Sequence, residues 1–274
     1  MKPAPPALAA AGTGCTEVLL GATRFDVRHR GVVIGRLDIA GADPVESAHR
    51  TLAEGADAVE VAGARGIGAL AALVDRLGAT PVGVVLDDAV GIGAAWDAGA
   101  AFVVLPAARF GADVAARLAG SGATAVVVGG TPSPDALAGL EARRLVLQPA
   151  PDGGPVAAGA LAEIVARGRL AGAAPGGTEL PAAEPVAGGD EEVLAGSRPA
   201  AKADEVLTGR PCSATAHGGA GAAGPAPDGD DVAAARLVAA CTVALHAGAR
   251  VLRVADVRTA RRTRDVVAAI LEAG

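Results

Sequence analysis

Aromatic residues make up only 1 % of this chain: there is no Tyr, one Trp and three Phe. A core built on large flat side chains is therefore excluded, and Ala, Val, Leu and Ile must supply the packing. Lysine is almost absent too, occurring only at Lys2 and Lys202, so Arg carries nearly all the positive charge. A basic surface is missing: the net charge is −6 and the pI about 5.3. This argues against a nucleic-acid partner, which needs cations to neutralise phosphates. Cysteine is scarce and scattered, at Cys15, Cys212 and Cys241. No spacing among them suggests a disulfide framework or a zinc site, so a reduced, cytoplasmic setting is expected. Long apolar runs are lacking as well. No stretch offers about 18 apolar residues free of charge or Gly, so no membrane span is expected. Three prolines interrupt the first residues (Met-Lys-Pro-Ala-Pro-Pro) before any signal-like run can form.

What the chain has instead is a repeat of short apolar runs and amphipathic stretches. Strands are expected at 31–39, 58–62, 81–86, 101–105, 123–128, 144–147, 192–195 and 250–254. Helices are expected at 43–55, 66–77, 90–98, 109–118, 134–143, 157–167, 231–247 and 264–273. Asp43 followed by Pro44 reads as an N-cap and first helical residue, and Ser133 before Pro134 reads the same way. Short, fully apolar strands joined by helices imply a parallel sheet covered by helices. Eight such units in this length suit a (βα)8 TIM barrel. A doubly wound open sheet is the alternative, but Ile34-Gly35-Arg36-Leu37-Asp38 provides no Gly-rich phosphate loop after the first strand. Residues 1–20 read as a flexible N-terminal arm and 21–274 as one barrel domain. Within it, the Gly/Pro/Ala-rich segments 169–190 and 208–230 read as mobile loops.

In such a barrel the chemistry sits at the C-terminal ends of the strands. Those ends carry Asp38, Glu60, Asp87 with Asp88, Gln148, Ser197 with Arg198, and Arg253 with Asp256. No His or Cys stands there to act as a base or nucleophile. The four His (29, 49, 217 and 246) fall on the arm, on helices and in a loop. Arg253 reads either as an anion contact or as a structural ion pair with Glu60 or Asp256, since an Arg inside a barrel needs a partner. Ser197 and Arg198 read as ligand contacts or as a turn cap, and Asp87 and Asp88 as site residues or helix caps. Asp38, Glu60 and Asp87 together admit a magnesium reading or an ion-pair network. Arg261, Arg262 and Arg264 read as a solvated helix start, and Cys241 as core.

Several segments resemble the dihydropteroate synthase family. Arg253-Val-Ala-Asp-Val257 is similar to its closing Arg-Val-His-Asp-Val, with Ala255 in place of His. Glu54-Gly-Ala-Asp-Ala-Val-Glu-Val-Ala-Gly-Ala-Arg65 resembles Glu-Gly-Ala-Asp-Ile-Ile-Asp-Val-Gly-Gly-Glu-Ser. Ala98-Gly-Ala-Ala-Phe-Val-Val104 resembles Ala-Gly-Ala-Asp-Ile-Ile-Asn, and Gly196-Ser-Arg198 the start of a Ser-Arg-Lys strand. Gly21–Asp26 resembles the entry to the family's first strand.

The resemblance implies a TIM barrel, magnesium-assisted joining of a pterin pyrophosphate to p-aminobenzoate, and dimers formed through outer helices. It also implies ligand contacts at Asp38, Glu60, Asp87, Ser197, Arg198, Arg253 and Asp256. The departures are many. The loop after strand 1 is missing, the strand 3 Asp aligns with Val85, and the strand 4 Asn aligns with Val104. Asp-Pro-Gly becomes Gln148-Pro149-Ala150, and the strand 7 Lys becomes Pro199, with Lys202 three residues on.

The expected function is a catalytically degenerate dihydropteroate-synthase-like protein that binds a pterin-like or anionic small molecule. An active synthase is one alternative. A non-enzymatic interaction subunit, as a homodimer or paired with a paralogue, is the other; it predicts a filled barrel mouth and an apolar outer face on the helix containing Ala233–Cys241.

Overall fold

Val, Leu and Ala runs too short for helices pair edge to edge here, and their period-two alternation decides which side chains meet the barrel axis and which meet the helices. The computed structural model describes residues 15–37, 39, 43–87, 89–137, 140–149, 155–174 and 229–273. The elements run β1 (Glu17–Leu20), β2 (Thr23–Asp26), β3 (Val32–Arg36), α1 (Pro44–Ala53), β4 (Ala58–Ala62), α2 (Gly63–Leu77), β5 (Val82–Val85), α3 (Ile92–Asp97), β6 (Phe102–Pro106) and α4 (Ala112–Ser121). They continue with β7 (Thr124–Val128), α5 (Pro134–Leu137), β8 (Leu145–Gln148), α6 (Pro155–Ala166), β9 (Leu170–Ala173), α7 (Gly229–His246), β10 (Ala249–Val254) and α8 (Val257–Ala273). Eight parallel strands, β3 to β10 in sequence order, close on themselves through the β10–β3 pairing. The expected (βα)8 barrel is therefore the fold.

Alternation is visible in the core. Val33, Val59, Val84, Val103, Val127 and Leu147 face outward into the helix layer, while their neighbours Ile34, Val85, Val104, Val126 and Val146 pack with one another along the axis. The aromatic shortage is felt at one point. Phe102 is the large ring inside the barrel, and Gly83 on the adjacent strand makes room for it: a Cβ there would collide with the ring.

The N-terminal face of the barrel is closed by the antiparallel β1–β2 hairpin, turned at Gly21 with φ +60°. Val18, Leu20 and Val27 join the axial core. The buried Thr124 hydroxyl donates to the Leu19 carbonyl, and Arg144 donates to the carbonyls of Gly21 and Gly122. Residues 17–20 thus form a strand where the sequence suggested an arm; residues 1–14 lie outside the described residues.

Three other expectations are corrected. The seventh barrel strand is β9 at Leu170–Ala173, inside a segment expected as a loop; the expected strand at 192–195 lies outside the described residues. The 134–143 helix is reduced to α5, Pro134–Leu137. Helix α8 begins at Val257, seven residues before the expected start at 264. This buries Arg264, which the sequence placed in solvent. Its guanidinium reaches Asp57 at 2.6 Å, Asp265 at 3.0 Å and the Gly31 carbonyl at 3.2 Å, tying α8 to the starts of β3 and β4.

Candidate functional site

The period-two rule that sends Ile34 and Ala58 to the axis also sends Arg36 and Glu60 there, one step nearer the C-terminal end of the barrel. Arg36 and Glu60 are register partners on neighbouring strands. Gln148 closes β8, and Arg253 lies on β10 beside β3. These four side chains form one polar layer above the apolar axis. Glu60, Gln148 and Arg253 are 1 %, 1 % and 3 % exposed.

The contacts are specific. Arg253 Nε donates to Glu60 Oε2 and Nη2 donates to Oε1, each at 2.8 Å, a bidentate pair. Arg253 Nη1 donates to Gln148 Oε1 at 3.1 Å. Arg36 Nε lies 3.2 Å from Glu60 Oε1. Burial pulls the Arg36 guanidinium below its ordinary pKa; Glu60 opposes this and Arg253 adds to it. Among the described residues, two guanidiniums against one carboxylate leave a surplus positive charge. Gln148 Nε2 is buried and has no hydrogen-bond partner among the described residues.

The remaining candidates lie elsewhere. Asp256 is exposed, and its Oδ1 accepts from the Thr259 N–H at 3.0 Å, so it caps α8. Asp87 is exposed beyond the end of β5. Asp38, Asp88, Ser197, Arg198, Lys202 and His217 lie outside the described residues. Val85 and Val104 face the axis at 2 % and 0 % exposure. These are the positions where the resemblance places an Asp and an Asn. Of the two partners weighed for Arg253, Glu60 is the one it takes. Sequence reasoning missed Arg36 as a site residue and noted Gln148 only as a strand end. The alternation through Val32 and Ile34 was the signal that puts Arg36 inside.

The magnesium reading meets a donor set that does not suit it. Glu60 is engaged by two guanidiniums, and among the described residues no group of three His, Cys, Asp or Glu side chains is placed to hold a metal. Cys241 is wholly buried on α7, as expected, and burial pushes its thiol up to about 12, far from a nucleophile's range. Among the described residues no helix is long and apolar enough to cross a membrane.

Solved dihydropteroate synthases share this architecture. The Vibrio fischeri 7,8-dihydropteroate synthase superposes with a TM-score of 0.65 at 13 % identity, over 95 % of this chain and 100 % of that one. The Xanthomonas albilineans enzyme, solved with 7,8-dihydropteroate, gives 0.61 at 18 % identity over 94 % and 99 %. The Mycobacterium tuberculosis protein Rv1207 gives 0.58 at 19 % over 89 % and 93 %. No family sequence model matches the chain, and no curated protein sequence matches it. At these identities the likeness carries the fold alone.

Proposed function

We propose that this chain is a diverged relative of the dihydropteroate synthases that has given up their chemistry and keeps a small-molecule site, for a pterin-like or anionic ligand, at the barrel mouth. One observation carries the reading. The inward positions where an Asp and an Asn would hold a pterin are Val85 and Val104, packed into the axial core. Valine offers neither an acceptor for the pterin amino edge nor a dipole for developing charge. The fold and the retained Arg253 support descent from a pterin-binding barrel, and the surplus guanidinium supports a ligand carrying negative charge. No step through magnesium is assigned, because Glu60 is already committed to Arg253 and Arg36.

Calorimetric titration with a dihydropterin pyrophosphate and magnesium, run beside a p-aminobenzoate condensation assay, tests this. Binding without product is expected. Steady formation of dihydropteroate would show that the enzyme is active, and absence of heat at millimolar ligand would remove the site.

A second reading, the interaction subunit, draws on the outer helices. Val238 and Val243 on α7 and Val266, Ile270 and Leu271 on α8 are exposed, Ile270 at 64 %. Light scattering on the parent and on Ile270→Glu tests it: an assembly in the parent that the variant dissolves supports the reading, and a monomer in both removes it.

A further inference from the structure

We infer that the barrel mouth reads an oxyanion, a phosphate or carboxylate group, in preference to the amino edge of a pterin, and that Arg36 is the side chain that reads it. This rests on the proposal that the mouth retains a ligand site and specifies what that site recognises.

An ionised carboxylate offers about four acceptor positions. Glu60 spends one on Arg253 Nε and one on Arg253 Nη2, and a third faces Arg36 Nε at 3.2 Å. The Gln148 carbonyl is taken by Arg253 Nη1. Acceptors for the amino group of a pterin are therefore nearly exhausted in this layer.

Donors are in surplus. Gln148 Nε2 is buried without a partner among the described residues. The Arg36 Nη groups have no partner among the described residues, whose contact with that side chain is the Glu60 pair. Among the described residues charge is unbalanced in the same sense, two guanidiniums to one carboxylate. The nearby described carboxylates do not restore it, since Asp256 is turned to the start of α8 and Asp87 lies in solvent. An oxyanion supplies acceptors and a negative charge together; an amino edge supplies neither.

Exposure selects the residue. The Arg36 side chain is 17 % accessible, against 4 % for Arg253 and 1 % for Glu60. Arg253 is locked into its own hydrogen bonds, so Arg36 is the cation that an incoming group meets. A planar guanidinium whose two Nη groups have no partner among the described residues suits bidentate capture of phosphate or carboxylate.

The test is calorimetric titration of the full chain at fixed ionic strength with three probes: inorganic phosphate, benzoate and the uncharged 6-hydroxymethyl-dihydropterin. At least one oxyanion should bind tenfold or more tightly than the uncharged pterin. Arg36→Gln should weaken that oxyanion by tenfold or more, while Arg36→Lys keeps part of the affinity. The probe ranking on the parent chain decides the matter even if a variant does not fold. Uncharged pterin binding more tightly than both oxyanions, or R36Q binding an oxyanion as well as the parent, would overturn the inference and leave the ligand site standing. Silence from all three probes would remove the inference and the site together.

Discussion

Replacing Arg253 with Met tests whether the polar layer is a desolvated unit or a wet surface. The substitution keeps most of the side-chain length and removes two charge-assisted bonds to Glu60, each 2.8 Å, and one to Gln148 at 3.1 Å. Removing one member of a buried ion pair costs about 3–5 kcal/mol, because the surviving charge stays out of water. Glu60 keeps Arg36 at 3.2 Å, which places the expected loss at the lower end, about 3 kcal/mol. For a chain of this size that is a fall in Tm of about 6–12 °C. Urea unfolding followed by far-UV circular dichroism measures it. The companion Arg36→Met/Glu60→Met/Arg253→Met removes all three charges together and should be less destabilised than the sum of its three single variants by at least about 1 kcal/mol, since no charge is left stranded. A loss below about 1 kcal/mol in R253M, or strictly additive costs in the triple variant, would refute the reasoning by showing that water already screens the layer.

Gly83→Ala drives a methyl into the Phe102 ring and should cost about 1–3 kcal/mol, with Phe102→Leu in the same chain recovering much of it; unchanged stability in G83A alone would contradict the packing. Thr124→Val removes the hydroxyl that donates to Leu19 and should cost about 1 kcal/mol, read as faster amide exchange in β1 and β2 ahead of the barrel strands. The Cys241 thiol titrates near 12 in the folded chain against 9.0 for the free group, because burial disfavours thiolate. Its contribution to stability is therefore present below pH 9.0 and is lost as pH rises toward 12. In a Cys15→Ser/Cys212→Ser background, iodoacetamide at pH 8 should leave Cys241 unmodified until the chain unfolds; fast labelling of folded protein would contradict its burial.

The barrel was readable because its strands repeat one signal. Val32–Arg36, Ala58–Ala62 and Thr124–Val128 are β-branched runs of strand length bounded by turn residues, and the expected strands fall on them. Leu170–Ala173 was missed for the opposite reason. Leu-Ala-Gly-Ala has no β-branched residue, and only its neighbours β8 and β10 make it a strand. The hairpin was missed because Thr23–Asp26 is half exposed and carries charge, so its apolar pattern is weak; what holds it is the barrel floor beneath it. The site was legible in halves. The Glu60–Arg253 pairing was weighed from sequence alone. Arg36 and Gln148 become its partners through reach across a closed barrel, which no linear spacing displays. Arg264 failed in the same way, as a charge among charges on a helix whose partner, Asp57, lies two hundred residues away.

The two ends of the barrel are built for different ends, and the contrast bears on where a ligand enters. At the N-terminal face the polar groups named above bind the fold, with the buried Arg264 Nη2 alone among them left without a partner among the described residues. Thr124 and Arg144 bind hairpin carbonyls, and Arg264 is anchored to Asp57 and Gly31. The hairpin places Val18 and Leu20 against the axial core, so this end is sealed by apolar packing. At the C-terminal face the polar layer does not close on itself among the described residues. It holds one more cation than anion, a buried amide N–H without a partner, and a guanidinium still in reach of solvent. A buried, unpaired donor costs about 1–3 kcal/mol, a cost that an acceptor arriving at that layer would offset. Gln148→Leu removes the unpaired Nε2 donor together with the Oε1 acceptor of Arg253 Nη1. It should lower the melting temperature by a few degrees, because a buried charged donor is left without its acceptor, and it should weaken oxyanion binding. A variant destabilised by several degrees with its binding intact would instead make Gln148 part of the scaffold.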